Sequence, residues 1–200
     1  RLHAITDAAV LTLGDFSVRA AAIAAAGPGV ALHARDRSAT AERLTAVTRR
    51  FLALARPPEA SVFVNARADI AAALGANGVQ LGLRDLKPAD VRAAFGGCWQ
   101  GWIGVSVHSA AEAETAMADG ADFLMAGNIY ESGTHPGRPG LGLDLVRRLA
   151  APGIPVIAVG GITAERAAVV RDAGAYGVAA IAALWYAADS AAAATRRAAP

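Results

Sequence analysis

The stretch VALHARDR, residues 30–37, places His33, Arg35 and Arg37 at every second position. Alternate side chains of an extended strand share a face, so the three emerge on one side as the chain leaves a sheet. A guanidinium fork recognises carboxylate and phosphate oxygens by paired hydrogen bonds. In SVFVNAR, residues 61–67, Asn65 and Arg67 repeat the arrangement at the end of another apolar run. The pattern points to an anionic ligand, with a salt-bridge belt to Asp36, Asp69 or Asp85 as the alternative. A second candidate site has almost no side-chain chemistry. In PVIAVGGIT, residues 155–163, Gly160 and Gly161 follow an apolar run and precede a helix start at Thr163. Backbone N–H groups can approach a ligand closely there, and the positive end of the helix dipole favours an anion. The same glycines also read as a tight turn.

Four histidines are present. His3 falls inside a strand and reads as a core or rim residue. His33 either lines the ligand site or packs beside it. His108, two residues after Ser106, ends an apolar run and is placed for ligand contact. His135 lies in AGNIYESGTHPGRPGLG, residues 126–142, a loop long enough to act as a lid. None of the four has metal-ligand spacing, so no metal is expected from spacing alone. Lys87, the only lysine, falls at a helix start, which disfavours Schiff-base chemistry in a central cavity. With Cys98 the only cysteine, no internal disulfide forms.

These residues need a scaffold. The chain has 200 residues, 54% hydrophobic and 18% charged, with a net charge of +2, enough apolar material for one large core over 1–200. The arginines fall in scattered pairs on helix-like stretches, which argues against a nucleic-acid surface. The longest uncharged C-terminal stretch is too short to span a membrane, and no signal-like segment opens the sequence, so a soluble cytoplasmic protein is expected. GANGVQLG (75–82), GADFLMAG (120–127) and GAYGVAAI (174–181) share one plan, a helix stopped by glycine and followed by a buried strand. Strands are expected near 2–6, 30–34, 61–65, 78–82, 102–106, 122–126, 155–159 and 177–181. Helices are expected near 16–26, 40–55, 66–75, 89–95, 110–119, 142–150, 164–173 and 183–197. Ser109 and Glu112 form a capping-box pattern, and Pro88 and Thr163 suit helix starts. Eight strands alternating with eight helices predict a single-domain (β/α)8 TIM barrel. Sites in that fold lie at the C-terminal strand ends, where His33, Arg35, Arg37, Asn65, Arg67, Ser106, His108 and the Gly160–Gly161 turn fall, and Gln80 joins them from strand four.

HAITD, NARADIA, GVQLG, IGVSVHS, GADFLMAGNIYES, IPVIAVGGIT and AGAYGVAAIAAL resemble, in order, the thiamine phosphate synthase and TenI superfamily. The resemblance implies a TIM barrel that binds a thiazole phosphate, held near Gly160, Gly161, Ile181 and Ala182, and it implies a homodimer. Synthases join that thiazole to a pyrimidine pyrophosphate using magnesium; TenI-type proteins instead shift a proton to aromatise the thiazole. The synthase pattern reads Asn-Asp-Arg where Asn65-Ala66-Arg67 stands, and Gln-Leu-Arg-x-Lys where His33 to Arg37 stands. It reads His-Leu-Gly-Gln where Gln80 to Leu83 stands, and expects a lysine at His135. Magnesium needs carboxylate oxygens that Ala66 cannot supply. The departures favour a TenI-type tautomerase without a cofactor, with magnesium only on the synthase reading. That reading has its own gap, because Asn128 stands where TenI-type proteins carry the proton-shuttling histidine. Asn128 would then orient the ligand while His135 moves the proton. A divergent synthase and a non-catalytic thiazole-phosphate sensor or carrier are the alternatives.

Overall fold

The computed structural model describes residues 1–55, 59–131, 137 and 139–198. Eight strands, β1 (Leu2–Ile5), β2 (Val30–Ala34), β3 (Ser61–Asn65), β4 (Gly78–Leu81), β5 (Trp102–Val107), β6 (Phe123–Gly127), β7 (Val156–Val159) and β8 (Gly177–Ala180), pair in parallel and in sequence order. β8 closes on β1, with Leu2 opposite Val178. Among the described residues, the helices are α1 (Phe16–Ala24), α2 (Ala41–Leu54), α3 (Ala68–Leu74), α4 (Pro88–Phe95), α5 (Ala110–Ala118), α6 (Gly142–Ala150), α7 (Ala164–Asp172), α8 (Ala182–Trp185) and α9 (Ser190–Ala198). None of them is long and apolar enough to cross a membrane.

The Gly-Ala repeat works as a helix stop. Gly75, Gly120 and Gly174 adopt φ of +65°, +91° and +105°. The N–H of the following alanine then returns to a carbonyl five residues back, Ala76 to Ala71, Ala121 to Ala116 and Ala175 to Val170. This satisfies an orphan helix carbonyl and turns the chain toward the next strand. At helix starts, the hydroxyls of Thr40, Ser109 and Thr163 accept from the N–H three residues on, at 3.2, 3.2 and 3.3 Å. The capping box at Ser109 closes differently from its sequence pattern: the Glu112 carboxylate accepts from the His108 N–H at 2.6 Å. The helix expected over 183–197 divides into α8 and α9, because the Ser190 hydroxyl donates to the Leu184 carbonyl at 3.1 Å across a turn.

The core has two compartments. The larger lies between the outer face of the sheet and the helices, where Trp185 stacks on Phe16 and Phe51. The smaller fills the barrel, with Ile5, Ala31, Phe63, Phe123, Met125, Ile157 and Ala179. Its two phenylalanines occupy space that two glycines vacate. A Cβ on Gly78 would lie 2.2 Å from the Phe63 ring, and one on Gly104 would lie 2.2 Å from the Phe123 ring. The barrel is thus plugged by large-over-small pairs beneath an open C-terminal end.

Candidate active site

The C-terminal strand ends open into one cavity of about 1380 Å³. It is lined by Asp7 after β1, Arg35 to Arg37 after β2, Asn65 to Arg67 at β3, Gln80 to Asp85 at β4, and Ser106 and His108 at β5. Asn128 and Glu131 after β6, Gly160 to Thr163 after β7 and Ile181 to Ala183 after β8 complete it. The volume exceeds the range of roughly 300–1,000 Å³ typical for one small ligand, so the mouth has room for two.

On the β2 side, the Thr6 hydroxyl fixes the strand end: it accepts from the Arg35 N–H at 2.9 Å and lies 2.8 Å from the Arg35 carbonyl. The Arg35 side chain is half-buried against the cavity. Among the described residues its guanidinium has no hydrogen bond and no ion pair within 4 Å. Burial lowers its pKa from the ordinary arginine value, Arg37 adds to that, and Asp7 and Asp36 oppose it. A guanidinium nevertheless stays charged in proteins. A half-buried charge without a partner is costly unless an anion meets it. Arg37 is exposed at the rim. Asp36 is turned to Ser38, accepting from its N–H at 2.8 Å and its hydroxyl at 2.7 Å, which lowers the Asp36 pKa.

His33 does not line the mouth; this corrects the expectation that it binds ligand directly. It is fully buried, stacked on Phe63, with Nε2 2.8 Å from His3 Nδ1 and Nδ1 3.2 Å from Asn65 Oδ1. Its face is the one that the alternation gives; its depth is what excludes it, since Arg35 and Arg37 lie successively farther out. Burial is the largest cause that holds His33 down to about 4, and burial likewise puts His3 well below the ordinary value. Asn65 and Arg67 do not simply repeat the β2 arrangement. Asn65 caps the histidine pair, while Arg67 is tied to Asp69, Nε to Oδ1 at 2.8 Å. Gln80 is buried and donates to the Ser106 hydroxyl at 3.1 Å. His108, at the rim, is held by Glu112 at 3.1 Å.

The β6–β8 side is built from backbone. The Ile129 N–H donates to the Val159 carbonyl at 2.8 Å, and the Tyr130 N–H to the Gly160 carbonyl at 3.1 Å. Gly160 and Gly161 adopt φ of +100° and +62°. A Cβ on Gly160 would sit 2.6 Å from Asn128 Cβ, and one on Gly161 would sit 2.5 Å from the Glu131 carbonyl oxygen. The close approach that these glycines allow is therefore made by the chain's own β6 loop. Arg166 clamps the junction, donating to the Gly161 carbonyl at 2.8 Å with its guanidinium 4.4 Å from the Tyr130 ring centroid. Across the gap, Ala182 and Ala183 start α8 with first-turn N–H groups that no helical carbonyl can reach.

The β6 loop is stitched at its base. Leu141 and Gly142 donate to the carbonyls of Asn128 and Ile129 at 2.8 and 3.0 Å. Asn128 is buried beside the Tyr130 carbonyl, 3.4 Å from its Nδ2. His135, expected to act from a lid, lies outside the described residues.

No sequence signal marks the His3–His33 contact, the Arg166 clamp or the lack, among the described residues, of a partner for Arg35. Each depends on residues from different strands. Lys87 stands outside the mouth, 3.7 Å from Asp119, as the argument against a Schiff base requires.

The donor set does not fit a protein-built magnesium cage. Among the described residues no three His, Cys, Asp or Glu side chains cluster to hold a metal ion. The mouth carboxylates are dispersed and engaged: Asp7 with the Val10 N–H, Asp36 with Ser38, Asp85 with the Gly82 N–H, Glu131 with the Gly137 N–H. Ala66, where the synthase pattern has aspartate, supplies no oxygen.

The family described as thiamine monophosphate synthase matches residues 2–184. The thiamine-phosphate synthase of Moorella thermoacetica is 39% identical over 176 residues, covering 86% of this chain and 82% of that protein. That of Salinispora tropica is 37% identical over 194 residues, covering 96% and 92%. The solved structure of thiamine phosphate pyrophosphorylase from Pyrococcus furiosus superposes with a TM-score of 0.80 at 30% identity, over 98% of this chain and 92% of that one. These similarities overturn the tautomerase expectation and favour its synthase alternative. Where TenI-type proteins carry the proton-shuttling histidine stands Asn128, which does not titrate near neutral pH.

Proposed function

The chain belongs to the thiamine monophosphate synthase family, and we propose that it is a transferase joining a thiazole phosphate to the pyrimidine of a pyrimidine pyrophosphate. The thiazole ring nitrogen supplies the electron pair for the new bond to carbon. The carbon–oxygen bond to pyrophosphate breaks, and its pair leaves on the pyrophosphate oxygen. An aromatic thiazole nitrogen carries no proton, so the step needs no general base. That suits a mouth where Asn128 replaces a titratable group. What the step needs is stabilisation of charge on the departing pyrophosphate and close placement of two ligands.

The observation that carries the reading is Arg35, a half-buried guanidinium facing the cavity with neither hydrogen bond nor ion pair among the described residues. We assign it to the pyrophosphate, with exposed Arg37 attracting the anion from the rim. The thiazole phosphate falls to the opposite side, against the turns at Gly160–Gly161 and Ile181–Ala182. Ser106, Gln80 and His108 border the space between them and suit the ring edges. On the β2 side of the mouth the side chain assigned to charge on the leaving group is the Arg35 guanidinium. Supplying both substrates, singly and together, and measuring pyrophosphate release tests the reading. Release only from the pair is expected; no release from the pair, with or without added magnesium, would overturn it.

A further inference from the structure

Beneath the mouth, two buried imidazoles and one amide form a single chain of hydrogen bonds. His3 Nδ1 lies 2.8 Å from His33 Nε2, and His33 Nδ1 lies 3.2 Å from Asn65 Oδ1. The rings are walled in: His3 packs on Phe63 and Phe123, at 5.8 and 5.6 Å between centroids, and His33 stacks on Phe63 at 5.0 Å. Asn65 alone of the three reaches the cavity.

A neutral imidazole carries one N–H and one bare nitrogen. If the Asn65 oxygen faces His33, then His33 must hold its proton on Nδ1, leaving Nε2 as an acceptor. His3 must then hold its proton on Nδ1 to donate. This arrangement turns the Asn65 NH2 group toward the cavity. In the reverse arrangement Asn65 donates to His33, both protons move to the Nε2 atoms, and the amide oxygen faces the cavity. No mixed arrangement makes both bonds. Burial keeps both rings neutral, with His33 held down to about 4 and His3 well below its ordinary value.

We propose that His3 and His33 are positioning residues that lock the Asn65 amide so that its NH2 group donates to an anionic ligand in the mouth. This rests on the anion-binding reading above and names a determinant of it. The ligand and the dyad reinforce each other: an anion oxygen at Asn65 selects the Nδ1–H state of both rings, and that state pre-organises the amide. A merely structural pair would fill the barrel equally well in either state.

Nitrogen-15 NMR of the full chain reads the state directly. At neutral pH, without ligand, both rings are expected as the Nδ1–H tautomer, with a through-bond nitrogen–nitrogen coupling between His3 Nδ1 and His33 Nε2. Rings in the Nε2–H form, or no coupling, would overturn the proposal, whatever the enzyme's activity. Inorganic pyrophosphate is the binding probe. His3→Phe removes the lock but keeps a ring among Phe63 and Phe123, and should weaken pyrophosphate binding roughly three- to tenfold, the scale of one net hydrogen bond. Unchanged affinity in a folded His3→Phe variant, with the wild type binding, would overturn the lock and leave the transferase reading standing. If the wild type does not bind pyrophosphate, the anion-site reading fails, and with it the proposed role of the lock.

Discussion

The two sides of the barrel mouth are made of different material. Between β2 and β3 the surface is side-chain chemistry: Arg35, Arg37 and Asn65, with a buried histidine pair beneath. Between β6 and β8 it is backbone: Gly160 and Gly161 pressed against the β6 loop, and the first turn of α8. The first side holds a positive charge that has no hydrogen bond or ion pair among the described residues. The second holds N–H groups in a turn whose shape depends on having no side chain. Substitutions should therefore separate: on the first side they change charge and leave the fold, on the second they change the fold and, through it, the site.

The largest effect should come from Arg35→Ala, which removes the charge assigned to the leaving pyrophosphate. Turnover should fall by about 10²–10³, the scale of losing one donor to developing charge. The melting temperature should hold or rise, because a half-buried charge with no partner among the described residues is removed. A large fall in melting temperature with little loss of turnover would erase the contrast between the sides.

Gly160→Ala tests the other side. Its Cβ would lie 2.6 Å from that of Asn128, on a backbone at φ +100°. Overpacking and strain together should cost about 1–3 kcal/mol of stability, seen in chemical denaturation. The KM for thiazole phosphate should rise in step. Full stability with a raised KM would mean that the glycine serves the ligand alone.

The histidine pair predicts an acid response. The folded pKa of His33, about 4, lies below the ordinary 6.5, so the unfolded chain takes up its proton first. Stability is complete above about 6.5 and is lost as pH falls toward 4, by about 3 kcal/mol for His33 alone. His3 acts in the same direction. Denaturation curves across that window check it, and His33→Gln should flatten the slope.

The smallest effect concerns Ala66, at φ +64° with its N–H bonded to the Gln80 carbonyl. Aspartate tolerates this left-handed region better than alanine. Ala66→Asp should leave stability equal or up to about 1 kcal/mol higher, and should add a carboxylate beside the pyrophosphate side. A gain in magnesium affinity by calorimetry is expected there; no gain would mean that the oxygens are misplaced.

The same division governs what the sequence could reveal. Gly-Ala stops, the Thr163 cap and strand alternation are local, so the barrel and the ring of strand ends were legible. The face shared by His33, Arg35 and Arg37 was legible too, but their depth was not, since it depends on where the strand leaves the barrel. The His3–His33 contact joins residues thirty positions apart, and the lack of a partner for Arg35 among the described residues is a property of its surroundings. The glycines at 160–161 read as a ligand turn, while their nearest neighbours are the chain's own loop. The tautomerase expectation rested on single missing synthase residues, and similarity to synthases along most of the chain outweighs them. The proposed reaction accounts for that tolerance, because a displacement by a ring nitrogen needs charge and placement and no proton shuttle.

Calorimetric titration of Arg35→Ala with inorganic pyrophosphate and, separately, with thiazole phosphate tests the division most directly. Pyrophosphate affinity should fall at least tenfold, about 1.4 kcal/mol, while thiazole phosphate binds as it does to the wild type. Equal loss of both ligands, or undiminished pyrophosphate binding, would contradict it.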